Sequence, residues 1–229
     1  WEGLSPIDNK PIVLIATGLG SSKSSNPKTG HMVQTWILRQ DIKPNEGHKN
    51  GDNKSVCGNC PHAGYNQGSC YVRWFQAPLS VFKCYSRGGY KHLSDKDLDL
   101  FNGVAMRLGS AGDPAMIPLE VWQKLLTRVR SHTGYTHQWK TPWGQAYKGI
   151  CQASCDGLLD YVEASSHGWK CFRVKHKDSP TPKGAINCPA SIEQGQKTQC
   201  SACTLCDGAT ADVYINAHGN TSNRVPVEA

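Results

Sequence analysis

The sequence is rich in cysteine, with eleven in a chain of 229 residues. An odd number of thiols cannot all pair within one chain, and a chain of this length can bury a hydrophobic core without disulfide support. Clustered thiols that do not form disulfides bind zinc or iron–sulfur clusters. Seven of the cysteines form two groups, which we call the first cysteine group (Cys57, Cys60 and Cys70) and the tail cysteine group (Cys188, Cys200, Cys203 and Cys206).

The tail cysteine group contains the run "CSACTLC", from Cys200 to Cys206. This C-x-x-C-x-x-C spacing lets three sulfurs face one point, as iron–sulfur ligands do, and Cys188 with the following proline supplies a fourth thiolate from a distance. Structural zinc also accepts four thiolates, although they usually come as two C-x-x-C pairs about a dozen or more residues apart. We therefore expect a four-iron cluster here, with zinc as the alternative and disulfides or free thiols as the remaining outcomes.

The first cysteine group has the spacing C-x-x-C-x9-C and no obvious local fourth thiol. A four-iron cluster held by three thiolates has one open iron, which a reacting ligand needs. His62 could instead be the fourth ligand, or Cys84 or Cys151 could complete a closed site, and both arrangements fit the spacing. Cysteines that bind no metal, among them Cys155 and Cys171, are expected to be free buried thiols.

Alternating strand and helix patterns predict the architecture of the chain. Strands are expected in residues 31–39, 103–109, 133–139 and 170–175, where β-branched and other apolar residues dominate. Helices are expected where apolar residues recur at helical spacing or a capping signal occurs, in residues 77–89, 92–102, 118–132 and 157–169. This order predicts an α/β fold with a partial parallel, (β/α) barrel-like sheet.

Polar segments without periodicity are predicted as loops and linkers. Leu19–Gly30 is rich in Ser, Gly, Lys and Pro, and residues 40–56 are polar and irregular, so the first cysteine group should follow a long surface loop. From Asp178 onwards the composition shifts to Pro, Gly, Ser, Gln and Cys. We expect an α/β core domain over residues 1–177 and a cysteine-rich, metal-stabilised tail over residues 178–229 that packs on it.

Charge and hydropathy narrow the choice of partners. The formal net charge is +7, but the basic residues are scattered, so nucleic acid could bind or the basic surface could simply be solvated. The short apolar run Ile12–Ala16 lacks the basic start and cleavage site of a signal peptide. No stretch approaches the ~18 apolar residues that span a bilayer. We therefore expect a soluble protein without a membrane partner.

Four segments, in this order along the chain, resemble a family of bacteriophage-encoded, cysteine-rich proteins of largely unknown function: "NPKTGHMVQTW", "CGNCPHAGYNQGSCYV", "RLGSAGDP" and "CPAS…TQCSACTLC…INAHG". The resemblance extends from Asn26 to Gly219 and implies a cluster-binding protein of the host cytoplasm. In outline such proteins are similar to radical S-adenosylmethionine enzymes, which have a three-cysteine group ahead of βα units. The usual motif of those enzymes is C-x3-C-x2-C with an aromatic residue before the last cysteine, whereas here Tyr71 follows Cys70.

This resemblance implies one or two four-iron clusters, with the open iron of the first cysteine group binding the amino and carboxylate groups of S-adenosylmethionine. The loop "GSAGDP" follows a strand, so Gly109 and Gly112 are candidates for close backbone approach to the cofactor, and Asp113 could hold a ribose or an amine. His137 ends the next strand on the same edge. Asp113 and His137 are the candidate catalytic residues, although a helix cap and a surface histidine are the alternatives. We expect a cavity bordered by both loops.

Two functional hypotheses remain open. The first is a phage enzyme with a radical-type cluster that acts on a nucleotide, a nucleic acid or a small metabolite. The second is a non-enzymatic protein stabilised by zinc or iron–sulfur clusters, whose basic surface contacts nucleic acid or a host protein. Aromatic residues beside basic ones, in residues 73–75 and 137–140, could stack on bases or belong to the core.

Overall fold

The computed structural model describes residues 1–20, 26–219 and 221–228, which form a mixed α/β fold with two five-stranded sheets. In these ranges no helix has the length and apolar character needed to cross a membrane. The strands are β1 (Glu2–Leu4), β2 (Pro11–Thr17), β3 (Met32–Arg39), β4 (Ala105–Ala111), β5 (Ser131–Thr133), β6 (Tyr135–Thr136), β7 (Gln152–Cys155), β8 (Cys171–Lys175), β9 (Ile186–Asn187) and β10 (Val213–Asn216). The α-helices are α1 (Pro44–Asn50), α2 (Lys54–Cys57), α3 (Ala77–Ser86), α4 (Leu119–Leu126), α5 (Leu158–Ser166) and α6 (Cys200–Cys203). Short 3-10 helices span Gly64–Asn66, Asp95–Phe101, Pro114–Met116, Gln138–Lys140, Gly144–Tyr147 and Ser222–Arg224.

The two sheets are rich in parallel pairs. The first has the strand order β1-β2-β3-β4-β5, in which β1, β2 and β3 pair antiparallel whereas β3, β4 and β5 pair parallel. The second has the order β6-β7-β8-β10-β9, and all of its pairs are parallel. Gly134 alone separates β5 from β6, and its N–H donates to the Cys206 carbonyl at 3.0 Å. The chain therefore passes directly from one sheet to the other.

Hydrophobic side chains cover both faces of the first sheet. On β2, Ile12 and Leu14 belong to the main core, whereas Val13 and Ile15 belong to a second cluster that includes Phe82 of α3. Adjacent strand residues point to opposite faces, so a strand covered on both sides needs a continuous apolar run, as "PIVLIAT" provides. The main core also contains apolar residues of α4, α5 and both sheets.

β4 departs from regular pairing close to its carboxyl end. The register with β3 shifts between Gln34 and Trp36, so that Thr35 faces three residues of β4. The Thr35 hydroxyl donates to the Arg107 carbonyl and accepts from the Gly109 N–H, each at 2.9 Å. At this bulge, the Thr35 hydroxyl pairs two backbone groups of β4 where the "GSAGD" segment leaves the ladder.

The tail is joined to the core through the second sheet. Strand β10 lies between β8 and β9 and pairs with β8 over four residues, from Val213 opposite Phe172 to Asn216 opposite Lys175. A small cluster of buried residues accompanies it, formed by Cys188, Ala190, Cys206, Val213 and Ile215. The tail thus contacts the core through apolar side chains and strand pairing as well as carrying the tail cysteine group. The domain boundary near residue 177 remains a prediction.

Most sequence-predicted elements are confirmed. The expected strands at 31–39 and 170–175 correspond to β3 and β8, and the helices expected after residues 77, 118 and 157 correspond to α3, α4 and α5. The capping box of Ser94 and Asp97 is present, although it begins a 3-10 helix. The strand expected at 133–139 is short, since a 3-10 helix follows β6, and β4 continues through Gly109 to Ala111.

The loop predicted over residues 40–56 is wrong, because this segment contains α1 and most of α2. Pro44 begins α1, and Gly51 ends it with a φ of 94°. Proline at a first helical position and a left-handed glycine after the last are the usual boundary signals of a helix. Part of the loop predicted over Leu19–Gly30, residues 21–25, lies outside the described residues, and its described parts contain no helix or strand.

Candidate metal centre

A cavity of about 160 Å³ lies at the carboxyl ends of β4, β6 and β7. The sequence segments that meet there are far apart in the chain: the first cysteine group, the "GSAGD" loop and the residues after β6 and β7. Its lining includes Cys57, Cys60, His62, Cys70, Gly109, Gly112, Asp113, His137 and Asp156. The structure therefore brings the first cysteine group, His62 and the candidate cofactor-binding and catalytic residues around one space, without Cys84 and Cys151.

The thiols of the first cysteine group lie near one another and are free. Cys57 ends α2, and burial raises the pKa of its thiol well above the ordinary value, an effect that Cys60 and Cys70 reinforce. Burial also raises the pKa of Cys70. These pKa shifts favour the neutral thiols of Cys57 and Cys70, and a bound cation would favour their thiolates instead.

The indole N–H of Trp74 faces the first cysteine group. Trp74 is 4 % exposed, and among the described residues its Nε1 atom approaches Cys70 without forming a hydrogen bond of normal geometry. Burial raises the pKa of Cys70, whereas the Trp74 N–H opposes that change. A buried donor without a partner is costly, and a metal-bound thiolate accepts such a bond. Burial has the larger effect, so the raised pKa of Cys70 favours its neutral thiol where no metal is bound.

Asp113 is engaged by backbone groups on both carboxylate oxygens. Oδ1 accepts from the Ala115 N–H at 2.9 Å and so caps the 3-10 helix that follows, while Oδ2 accepts from the His137 N–H at 2.8 Å. Burial raises its pKa, and these bonds oppose that change. Asp113 therefore joins the loop after β4 to the loop after β6.

Gly109 and Gly112 adopt positive φ angles of 65° and 81°. A Cβ on Gly109 would lie 2.5 Å from the Gly112 carbonyl oxygen, and one on Gly112 would lie 2.7 Å from Ile37. The missing side chains therefore point at neighbouring protein atoms. The glycines are explained by backbone conformation and packing, and any ligand in the cavity would meet their main-chain atoms.

His62, His137 and Asp156 form a compact polar group at the cavity. The Asp156 Oδ1 atom is 2.8 Å from His62 Nε2 and 3.1 Å from His137 Nε2. Burial alone would raise the pKa of Asp156, but the two imidazoles hold it well below its usual range. Burial alone would lower the pKa of His137, but Cys60 and Asp156 raise it well above the ordinary value. The imidazole of His137 lies 3.9 Å from the Cys60 sulfur.

The tail cysteine group converges next to the second sheet. Burial raises the pKa of Cys206, and the three other thiols of the group reinforce that change. The segment "NPKTG" supports the group from outside: the carbonyls of Lys28 and Thr29 accept from the N–H groups of Cys200 and Ser201, at 2.9 and 3.1 Å. This segment, which the sequence predicts as a loop, therefore holds the start of α6 in place by backbone hydrogen bonds.

Arg107 and Tyr135 lie between the two cysteine groups. Both line the cavity, while Tyr135 also interacts with the thiol of Cys206, and the Arg107 charge lowers the pKa of Cys200 against the larger effect of burial. Within the described residues Arg107 has no carboxylate partner, and its Nε atom has no hydrogen bond. The cavity thus has a positive wall on the side of the tail.

Some residues of the cavity are not identifiable from sequence patterns. Asp156 follows a parallel strand, as Asp113 and His137 do, and that position is the signal that could have found it. Cys84 and Cys151, considered above as fourth ligands, are absent from the lining of the cavity. Cys151, Cys155 and Cys171 are free and buried as expected, and Cys84 is half-buried.

The donor atoms of His62, His137 and Asp156 all lie within 4.8 Å of one another, the only set of three or more possible metal ligands to do so in the described part of the chain. The sulfurs of neither cysteine group are that close as a set of three. Thiolates around one zinc ion lie about 3.8 Å apart, given Zn–S bonds of about 2.3 Å, whereas thiolates that bind different irons of a cluster lie farther apart.

Comparisons of the chain with protein-family models, with curated proteins and with solved structures gave no match.

Proposed function

We propose that the chain is an iron–sulfur protein in which the first cysteine group holds a four-iron cluster beside a small-molecule cavity, and that it acts as an enzyme of the radical S-adenosylmethionine type. The observation that carries the proposal is the shared cavity: three thiols, the "GSAGD" loop and His137, separated by up to 80 residues in sequence, line one space. Proteins bring distant ionisable and metal-binding groups together chiefly at functional sites. The substrate class we propose is a nucleotide or small metabolite.

The architecture supports this reading. Helices separate β3 from β4, β4 from β5 and β7 from β8, and the first cysteine group follows β3, as in the partial barrels of that class of enzyme, whereas Gly134 alone separates β5 from β6. The three sulfurs of the first cysteine group do not all lie within 4.8 Å of one another, as the thiolates of a single zinc ion would. We propose the partial barrel, the metal-stabilised tail and the phage origin on the same resemblance, with the host cytoplasm, which keeps thiols reduced, as the compartment.

The residues of the chain would have distinct roles around the cluster. Cys57, Cys60 and Cys70 would hold three irons and leave one open toward the cavity. A cluster with an open iron, when reduced, supplies the electron that cleaves the sulfonium of bound S-adenosylmethionine. The main chain of the glycine loop would contact the cofactor, and Arg107, which lacks a carboxylate partner, would attract an anionic group of the ligand.

Spectroscopy on anaerobically purified protein tests the proposal. We expect brown protein with broad absorption near ~400 nm and a paramagnetic signal, after reduction, that S-adenosylmethionine changes. The Cys57→Ser variant should lose the part of the signal that responds to S-adenosylmethionine. The matched control is Cys84→Ser, because Cys84 is half-buried but lies away from the cavity. A signal from the first cysteine group that ignores S-adenosylmethionine contradicts the enzyme reading.

A second candidate function is a metal-stabilised binding protein with two closed sites. The observation that favours it is the position of His137, whose Nε2 lies 3.9 Å from the Cys60 sulfur and could occupy the fourth coordination position. S-adenosylmethionine would then have no iron to chelate. Colourless protein with stoichiometric zinc, or a cluster that loses iron in His137→Gln, supports this candidate over the enzyme.

A further inference from the structure

His62, His137 and Asp156 are held so that their donor atoms share one point. The two imidazole Nε2 atoms lie 2.8 and 3.1 Å from the same carboxylate oxygen, and all three donors are within 4.8 Å of one another. Ligands of a tetrahedral ion at bond lengths of about 2.0–2.3 Å lie about 3.3–3.8 Å apart. The donor separations here, 2.8 Å, 3.1 Å and at most 4.8 Å, bracket that range.

We propose that His62, His137 and Asp156 bind one divalent transition-metal ion, separate from the cysteine-held metals. Two imidazole nitrogens and one carboxylate oxygen suit zinc, iron(II) or cobalt(II) and do not suit calcium or magnesium, which prefer oxygen ligands. The proposal does not depend on the cluster proposed above, since none of the three ligands is a cysteine. It assigns His62 and His137 to this ion and leaves the open iron of the first cysteine group without a histidine ligand.

The surroundings of these side chains already hold them in ligating orientations. His62 Nδ1 is 2.6 Å from the Ser69 hydroxyl, which leaves Nε2 to face Asp156. The backbone N–H of His137 donates to Asp113, so the loop that carries this imidazole is fixed at its start. Metal-binding histidines usually make a second hydrogen bond through the other ring nitrogen, as His62 does with Ser69. That bond orients the ring and sets its tautomer.

The site opens on the cavity. All three side chains line it, and each is partly exposed, at 18–27 % of the side-chain surface. Three protein ligands leave at least one coordination position free, as in catalytic rather than structural zinc sites. The sulfur of Cys60, 3.9 Å from His137 Nε2, is a further protein donor close to this position. The ion would thus be available to water or to an anionic ligand in the cavity.

The test is metal binding by the full chain, with cobalt(II) and zinc as probes. Native mass spectrometry of the metal-stripped protein titrated with zinc should show one ion fewer for His62→Gln and for Asp156→Asn than for the wild type. His92→Gln is the matched control, because His92 is 75 % exposed and distant from the cavity, and it should bind as many ions as the wild type. Cobalt(II) should give a ligand-field spectrum that both site variants reduce, with a sulfur charge-transfer component if Cys60 joins the ion.

A measurement on the wild type does not require any variant to fold. Histidine modification by diethylpyrocarbonate, followed by peptide mass spectrometry, should slow several-fold at His62 and His137 on addition of zinc, and should be unchanged at His92. Equal modification with and without zinc, together with unchanged stoichiometry in the variants, overturns the proposal. Loss of iron–sulfur absorption in His62→Gln also overturns it, because His62 would then be a cluster ligand. An absence of any cluster contradicts only the function proposed above.

Discussion

The Asp113 carboxylate accepts a hydrogen bond from the backbone N–H of His137 at 2.8 Å, and this contact joins the carboxyl ends of β4 and β6. The same carboxylate caps the 3-10 helix that follows it. Asp113 is 7 % exposed, so no solvent replaces these bonds when the side chain is removed. Its structural role is therefore measurable independently of any ligand.

Asp113→Ala should lower the free energy of unfolding by about 2–4 kcal/mol, the sum of a lost cap and of a buried N–H left unpaired. Urea unfolding monitored by circular dichroism measures the effect. If the proposed cluster is present, the iron content per chain should not change, because Asp113 is not one of its proposed ligands. The control is Ser94→Ala, which removes the exposed capping box and should cost about 1 kcal/mol or less. Equal stability of the two variants contradicts the role given to Asp113.

Cys203→Ser should loosen the tail more than Cys84→Ser does. Cys203 belongs to the converging tail cysteine group, whereas Cys84 lies on α3, away from both groups. If a metal joins the four thiols, loss of one ligand removes much of the stability of residues 185–210, whose apolar cluster is small. Limited proteolysis should cut this segment several-fold faster in Cys203→Ser. Strand β10 should remain protected longest, because it pairs with β8. Identical digestion of both variants would mean that no metal supports the tail.

Arg107→Gln should slow the alkylation of Cys200 in metal-stripped protein. Burial raises the pKa of Cys200 and the charge of Arg107 opposes this, so removal of the charge leaves less thiolate at a given pH. Iodoacetamide labelling at pH 8 should slow several-fold at Cys200 and should change little at Cys60, with peptide mass spectrometry as the readout. Arg107→Lys, which keeps the charge, should restore most of the rate. Equal labelling in the wild type and Arg107→Gln would mean that the guanidinium is too distant to act.

The sequence identifies local structure well where one signal dominates. The β-branched residues of β3 and the Ser94–Asp97 capping box depend on neighbours in sequence, and both are found where expected. Pro44 and Gly51 could equally have predicted the two ends of α1, but the polar composition of the segment indicated a loop. An apolar pattern predicts a helix only where one face of that helix packs on the core. A short, mostly exposed helix has no such pattern.

The contacts that form the cavity join residues that are distant in sequence, so local sequence signals do not predict them. Asp156 lies 19 positions after His137 in the chain, and its 3.1 Å contact with that imidazole depends on how β7 pairs with β6. Packing also leaves Trp74 Nε1 and Arg107 Nε without a hydrogen bond of normal geometry among the described residues, although buried donors of this kind usually form one. A single sequence places such residues on strand ends without showing which ends meet.

Below pH 6.5, the free energy of unfolding should decrease more steeply with falling pH than it would without His132. Burial lowers the pKa of this imidazole, whose Nε2 atom lies 3.0 Å from the Ile150 carbonyl oxygen. Above about pH 6.5 the ring is neutral in both the folded and the unfolded chain and contributes no pH dependence. As the pH falls through that value the unfolded chain binds a proton first, which favours unfolding.

In His132→Gln this contribution is absent, while every other titrating group is retained. The thermal midpoint should therefore fall less between pH 7.5 and pH 5.5 in His132→Gln than in the wild type, with glutamine still able to donate to the Ile150 carbonyl. The exposed His92→Gln variant should follow the wild-type curve closely, since its ring is mostly in solvent. A constant difference in midpoint between the wild type and His132→Gln at both pH values would show that His132 binds its proton equally well in the folded and unfolded chain.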